Sequence, residues 1–257
     1  MQTISLHDEL RFEETGGKEI ILVSNDNPLL PEDAKDNLIY KAAECIRREY
    51  GIDRGVKITL QKNIPIAAGM AGGSTDAASC MLAINDLYGL GLSKRHLMKR
   101  GVKLGADIPY CILKGTALSE GIGEKLSTIP AMPSCYILIA KPNIHVSTKW
   151  VYTNLVLDEH TNHPDIDGML ASMKKRDLLS LSNQIGNVLE SVTIPAYPQI
   201  AAIKECMLQN GALGSLMSGS GPTVFGIFDD KDKAMAAKEK CRELPYRCFV
   251  FVTDLYR

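Results

Sequence analysis

The sequence has no dominant charge, no long apolar run and no paired-cysteine motif. Lys and Arg number 29 against 30 Asp and Glu, a formal net charge of −1. No global basic field draws such a chain to nucleic acid or to an anionic membrane, and no aromatic-rich RNA-reading strand is present. The apolar runs, such as Cys-Tyr-Ile-Leu-Ile-Ala at 135–140, are far too short to span a bilayer. The first ten residues, Met-Gln-Thr-Ile-Ser-Leu-His-Asp-Glu-Leu, hold neither a basic start nor an apolar stretch, so no signal peptide is expected. The seven cysteines form no Cys-x-x-Cys pair, and their number is odd. Reduced thiols in a cytoplasmic protein are expected, not a disulfide or metal framework. His160 and His163 lie in the loop 158–164 without a metal-ligand spacing and read as solvated. Repeats and low-complexity segments are absent as well.

What remains is a 257-residue chain with 45% hydrophobic and 23% charged residues. That is enough for one large domain or two small ones, each with a core. Periodicity predicts strands at 3–12 and 19–24 around the turn Thr15-Gly16-Gly17, then a polar loop at 25–31. Asp36 is expected to cap a helix with apolar face Leu38, Ile39, Ala42, Ala43 and Ile46, closed by Gly51. A strand at 56–62 and a helix at 77–88 follow. Ser93 is expected to cap a helix at 94–104, Asp107 to cap a short helix near 106–113, and strands to form at 116–120 and 124–127. The pattern restarts around 129–133, which places a boundary between domains 1–130 and 131–257. Strand 135–140, helices near 147–155, 167–174, 177–192 and 198–210, strands 212–217 and 223–228, helix 231–243 and strand 248–253 complete the chain. This order is ferredoxin-like with extra helices. The fold class is α+β in two lobes, a mixed α/β N-terminal lobe and a ferredoxin-like C-terminal lobe.

The most informative stretch is Pro65-Ile-Ala-Ala-Gly-Met-Ala-Gly-Gly-Ser-Thr-Asp-Ala-Ala78. A small-residue loop between a strand and a helix lets backbone N–H groups approach a ligand, and the helix start adds a positive dipole end. This is an anion site, most often for phosphate. No Lys follows the glycines, so it is not a G-x-x-x-x-G-K-[ST] loop, and backbone, dipole and a metal ion must hold the phosphate. A second loop, Met217-Ser-Gly-Ser-Gly-Pro222, has more small residues than a hairpin needs and suggests a loop lying against a ligand. Asp107 is the best candidate base. At a helix cap the dipole is expected to lower its pKa and keep it ionised, ready to orient and deprotonate a hydroxyl. Read alone, Lys62 is a solvated strand-end residue and Asn37 part of a turn. Trp150 and Tyr152 read as core packing, although a Tyr at a ligand cleft can also stack on a base.

These pieces, in this order, resemble the GHMP kinases, small-molecule kinases without a Walker loop. The first glycine loop is similar to that family's second motif, and 217–222 to its third. The segments Leu104-Gly-Ala-Asp-Ile-Pro-Tyr110, Gly115-Thr-Ala-Leu-Ser-Glu-Gly-Ile-Gly-Glu124 and Lys35-Asp-Asn-Leu-Ile39 narrow the resemblance, as does the helical region from Asn187 to Pro198. They point to the branch that acts on a cytidine-diphosphate-linked methylerythritol in non-mevalonate isoprenoid biosynthesis. The resemblance implies that Pro65, Ile66, Ala67, Ala68, Gly69, Met70, Ala71, Gly72, Gly73, Ser74 and Thr75 wrap the ATP phosphates. It places Asn37 and Lys62 near the adenine, and Asp107 facing the hydroxyl. Thr148 and Tyr152 fall on the substrate side, where the ring stacks on cytosine, and Gly219 and Gly221 line the site. ATP and Mg²⁺ are implied, with a small-molecule substrate carrying a cytidine diphosphate group and a monomer or weak homodimer; the metal ligands are not indicated. The family's opening Pro-x-Lys-x-Asn-Leu and Asp-Gly-Tyr-His segments have no counterpart here. The chain looks like the family protein begun at an internal Met. Without that strand and Lys, exposed ladder groups and weak catalysis are expected. Another GHMP kinase, acting on homoserine or mevalonate, and a non-catalytic nucleotide-binding protein are the alternatives.

Overall fold

The structure, a computed structural model, describes residues 1–24, 29–159 and 161–256. Part of the loop 25–31 and His160 therefore lie outside the described residues; His163 is exposed. The chain forms two compact units, one of residues 1, 6–66 and 71–128, the other of 2–5, 67–70 and 129 onward.

In the first unit, strands β1 (Glu9–Thr15), β2 (Ile20–Ser24) and β3 (Gly55–Gln61) form a sheet in the order β1-β3-β2. β1 runs antiparallel and β2 parallel to β3. The hairpin expected between the first two strands does not form, because β3 inserts between them. Its Gly55 and Val56 amides donate to Gly17 O at 2.7 Å and Glu19 O at 3.0 Å. The reason is burial. Val56, Ile58 and Leu60 are almost wholly enclosed, and the strand with the most buried side chains takes the centre. Each such side chain contributes about 1.5–3 kcal/mol relative to exposure.

Helices α1 (Leu38–Glu49), α2 (Gly72–Leu87), α3 (Lys94–Gly101) and α4 (Ile108–Leu113) share this core. Asn37, not Asp36, caps α1, its Oδ1 accepting from Ile39 N at 2.9 Å. Asp36 instead ends a short 3₁₀ turn at Ala34–Asp36 that Asp33 caps. α2 begins five residues before the expected start, because its first turn is too small and polar to show an apolar period. Ser93 caps α3 as expected. α3 and α4 meet so closely that a Cβ on Gly101 would lie 2.5 Å from Ile108 Cγ2. The ribbon β4 (Ala117–Glu120) and β5 (Lys125–Thr128) closes the unit.

The second unit contains β6 (Tyr136–Pro142), α5 (Thr148–Asn154), α6 (Ile166–Lys175), α7 (Leu178–Gln184), α8 (Glu190–Ala196) and α9 (Gln199–Gln209). β7 (Gly214–Met217), β8 (Val224–Phe228), α10 (Lys231–Glu243) and β9 (Cys248–Asp254) follow. The four strands form an antiparallel sheet in the order β7-β8-β6-β9. With helices crossing between β6 and β7 and between β8 and β9, this is the ferredoxin-like lobe. Leu138, Ala140, Val224 and Phe228 pack there with Ile200, Ile203, Met207, Ala234 and Ala237 of α9 and α10.

The single helix expected over 177–192 is two helices. Gly186 and Asn187 interrupt it, and the Asn187 Oδ1 accepts from Leu189 N at 3.0 Å, starting a new turn. Trp150 and Tyr152 are not core residues. They are 39% and 61% exposed, while Val151 between them is fully buried. The seven cysteines are free thiols, and among the described residues no helix is long and apolar enough to cross a membrane.

Candidate active site

The start of α2 has no side-chain cap. Its N-cap position is Ala71, held left-handed at φ 53°. The first bond of the helix is Thr75 N to Ala71 O at 2.8 Å, so the amides of Gly72, Gly73 and Ser74 precede the ladder. Donors of that kind are the ones a ligand oxygen takes up.

Each residue of this turn touches a different part of the first unit. A Cβ on Gly72 would lie 3.1 Å from Lys62 Nζ, and one on Gly73 would lie 3.6 Å from Leu38 Cδ1, next to Asn37. Ser74 Oγ is 3.8 Å from the Cβ position of Gly105, two residues before Asp107. Thr75 Oγ1 donates to Cys111 Sγ at 3.4 Å. Asn37, Lys62 and Asp107 are thus carried toward the same helix start by α1, β3 and α4. Pro65 and Ile66 lead into it, half-buried. The Asn37 side chain is occupied in capping α1.

Asp107 departs from expectation. It stands at the head of α4 with helical dihedrals and makes no side-chain cap bond. Burial raises its pKa, where the dipole argument had it lowered. A helix of six residues offers only a weak dipole, and desolvation outweighs it. A carboxylate made more basic in this way is a better acceptor for a hydroxyl proton.

Lys62 is not solvated. Its ammonium is held between two carboxylates, Asp8 and Asp76, at 2.9 Å from Asp76 Oδ2. All three side chains are at most 4% exposed. Asp8 Oδ1 also accepts from Asn63 N and Ile64 N, at 2.6 and 2.8 Å. Sequence reading missed Asp8 and Asp76. A signal for Asp76 existed, since it lies four residues before the buried Cys80, on the apolar stripe of α2.

Residues 67–70, the middle of the first glycine loop, cluster with the second unit. Ala68 is buried, and Met70 is half-buried. Ala67 and Gly69 are left-handed, at φ 52° and 68°. A Cβ on Gly69 would sit 2.4 Å from Ser218 O, and Ser218 Oγ donates to Gly69 O at 2.8 Å. The loop 217–222, which holds Gly219 and Gly221, is itself pinned by side chains. Asn187 Nδ2 donates to Met217 O at 2.9 Å and to Gly219 O at 2.8 Å. Glu190 accepts from Met217 N at 2.8 Å and is held in turn by Lys204. Thr193 Oγ1 donates to Ser220 O at 3.3 Å, and Thr148 Oγ1 lies 2.9 Å from Ser220 Oγ. Thr148 therefore adjoins this loop. Tyr152 stands one turn further along α5 with an open ring, while Trp150 packs edge-on against Tyr197.

Comparison with known proteins accords with this geometry. The GHMP kinases N terminal domain matches residues 37–115, and the GHMP kinases C terminal domain matches 169–247. The 4-diphosphocytidyl-2-C-methyl-D-erythritol kinase of Lachnoclostridium phytofermentans is 48% identical over 256 residues, 100% of this chain and 87% of that protein. The protein of the same name from Geobacillus thermodenitrificans is 44% identical, covering 89% of this chain and 78% of its own length. A crystal structure of 4-(cytidine 5'-diphospho)-2C-methyl-D-erythritol kinase aligns with a TM-score of 0.81 at 28% identity, over 99% of this chain and 88% of that one. A homoserine kinase from Cytophaga hutchinsonii aligns at 0.82 with 21% identity, over 96% and 86%, a likeness of fold. At such identity along the whole sequence, the chain belongs to the 4-diphosphocytidyl-2-C-methyl-D-erythritol kinases, a branch of the GHMP kinases.

Proposed function

We propose that this chain transfers the γ-phosphoryl group of ATP, taken as its Mg²⁺ complex, to the 2-hydroxyl of 4-diphosphocytidyl-2-C-methyl-D-erythritol. The uncapped start of α2, with Asp107 carried beside it, is the observation that supports this reading. The amides of Gly72, Gly73 and Ser74 and the helix dipole hold the phosphates, and Mg²⁺ offsets their charge. Asp107 accepts the hydroxyl proton as the new P–O bond forms and the bond to the departing ADP oxygen breaks. No covalent enzyme intermediate is involved. Thr148 and Tyr152 belong to the cytidine side, the exposed ring giving cytosine a face on which to stack. The protein works in the cytoplasm as a monomer or weak homodimer, in non-mevalonate isoprenoid synthesis.

The test is ADP release by the purified chain with Mg²⁺, ATP and the cytidine substrate. Asp107→Asn should lower turnover by about 10²–10⁴ while ATP still binds. Near-normal turnover in that variant removes Asp107 from the chemistry. ATP binding without substrate-dependent ADP release by the unaltered chain makes it a nucleotide-binding protein and no kinase.

A further inference from the structure

Beneath Gly72 lies a charge cluster that, among the described residues, does not balance. Asp8, Lys62 and Asp76 are enclosed together, two carboxylates against one ammonium. A buried ion is tolerated when it is paired and its remaining lone pairs are satisfied. Asp8 meets that condition, with Asn63 N and Ile64 N on Oδ1 and the Lys62 ammonium on Oδ2. Asp76 does not. Its Oδ2 accepts from Lys62, but its Oδ1 is buried without a hydrogen-bond partner. The uncompensated charge therefore falls on one atom, in the second turn of the helix whose first turn offers the open amides.

We infer that Asp8, Lys62 and Asp76 are positioning residues beneath the phosphate loop, with Asp76 gaining a proton that sets how strongly the loop holds an anion. This rests on the proposed seating of the ATP phosphates at the start of α2. The cluster ties three places together: the turn into the loop through Asn63 and Ile64, the end of β3 through Lys62, and α2 through Asp76. With a proton on Asp76 the cluster is neutral. Without it, a net negative charge lies under the site that must receive phosphates.

Desolvation pushes the Asp76 carboxyl up to about 7, with the neighbouring Asp8 adding to the shift and Lys62 opposing it. The other groups near it do not compete. Cys80 on α2 and Cys111 on α4 are buried thiols with raised pKa, the latter to about 11, and remain neutral. α1 and α3 bring Ile39, Ala42, Ala43 and Leu97 to this core. Asp107 and Asp76 both act on the Cys111 thiol of α4, raising it further. The sign follows. As pH rises through about 7, Asp76 ionises, and like charge weakens anion binding.

The experiment measures ATP affinity of the full chain, with Mg²⁺, from pH 5.5 to 8.5 for the unaltered protein, Asp76→Asn and Asp8→Asn. The nucleotide's own titration is common to all three and cancels in their ratios. The unaltered chain should lose affinity on the order of fivefold across neutrality relative to Asp76→Asn. Asp8→Asn removes the neighbouring charge and should move the step to lower pH. A step of the same size and position in Asp76→Asn, or an unmoved step in Asp8→Asn, overturns the inference. Gly73→Val separates this from failure of the functional reading. If it leaves ATP affinity intact, the phosphates lie elsewhere, and both readings fall. If it removes ATP binding while Asp76→Asn keeps the step, only the inference is wrong.

Discussion

The two glycine loops look alike in sequence and differ in what their polar groups do. The loop at 65–75 ends on a helix start whose amides have no cap. The loop at 217–222 is held from several sides, by Asn187 on two carbonyls, Glu190 on an amide and Thr193 on a third carbonyl. One loop runs into a helix start whose first amides lie outside the ladder, and the other has three carbonyls and the Met217 amide held by side chains. A run of Gly and Ser marks a place where backbone comes close to something.

The sharpest way to break the comparison is to fill the open loop. A Cβ on Gly73 meets nothing closer than 3.6 Å, so Gly73→Val should fold normally. Its side chain would stand where the phosphates are proposed to sit, and ATP affinity should fall more than about tenfold by steric closure; calorimetric titration reads it. In the pinned loop, Asn187→Ala should instead cost stability, about 1–3 kcal/mol, because two carbonyls lose a donor. Thermal melting should show that loss, and ATP affinity should change less than in Gly73→Val.

Asp76 gives a subtler contrast. Its folded pKa lies above the ordinary carboxylate range, at about 7. The folded state therefore binds the proton more tightly, and this contribution to stability is complete below about 4 and lost as pH rises through about 7. Asp76→Asn should flatten that part of the stability curve in denaturant titrations from pH 4 to 8. The smallest effect is expected at Ala71, left-handed at φ 53°. Glycine relieves backbone strain there but gains freedom in the unfolded chain, so Ala71→Gly should raise stability by only about 0.5 kcal/mol.

The contrast also marks what could be read from the sequence. The order of elements in the ferredoxin-like lobe was legible, because each strand and helix carries its own period. So were the helix at Lys231–Glu243, the cap at Ser93 and both glycine loops. What failed was nonlocal. The pairing of β1 and β2 depends on a strand 31 residues after Ser24, too far for turn chemistry at Gly16 and Gly17 to report. Lys62 read as solvated because its partners lie 54 and 14 residues away. Asn187 read as interior to a helix because its hydrogen bonds go to carbonyls 30 and 32 residues on. Asp107 was misjudged for another reason. A cap position is local and visible, whereas the burial that raises its pKa belongs to the finished fold.

The missing cap at Ala71 has one more consequence. A helix without a side-chain cap frays from that end. In the proposed reading, the nucleotide itself completes the helix, so occupancy and order at residues 72–75 become one equilibrium. Amide hydrogen exchange there should slow as ATP is added, in proportion to the fraction bound. The amide of Ile39, already held by Asn37, should exchange at the same rate throughout.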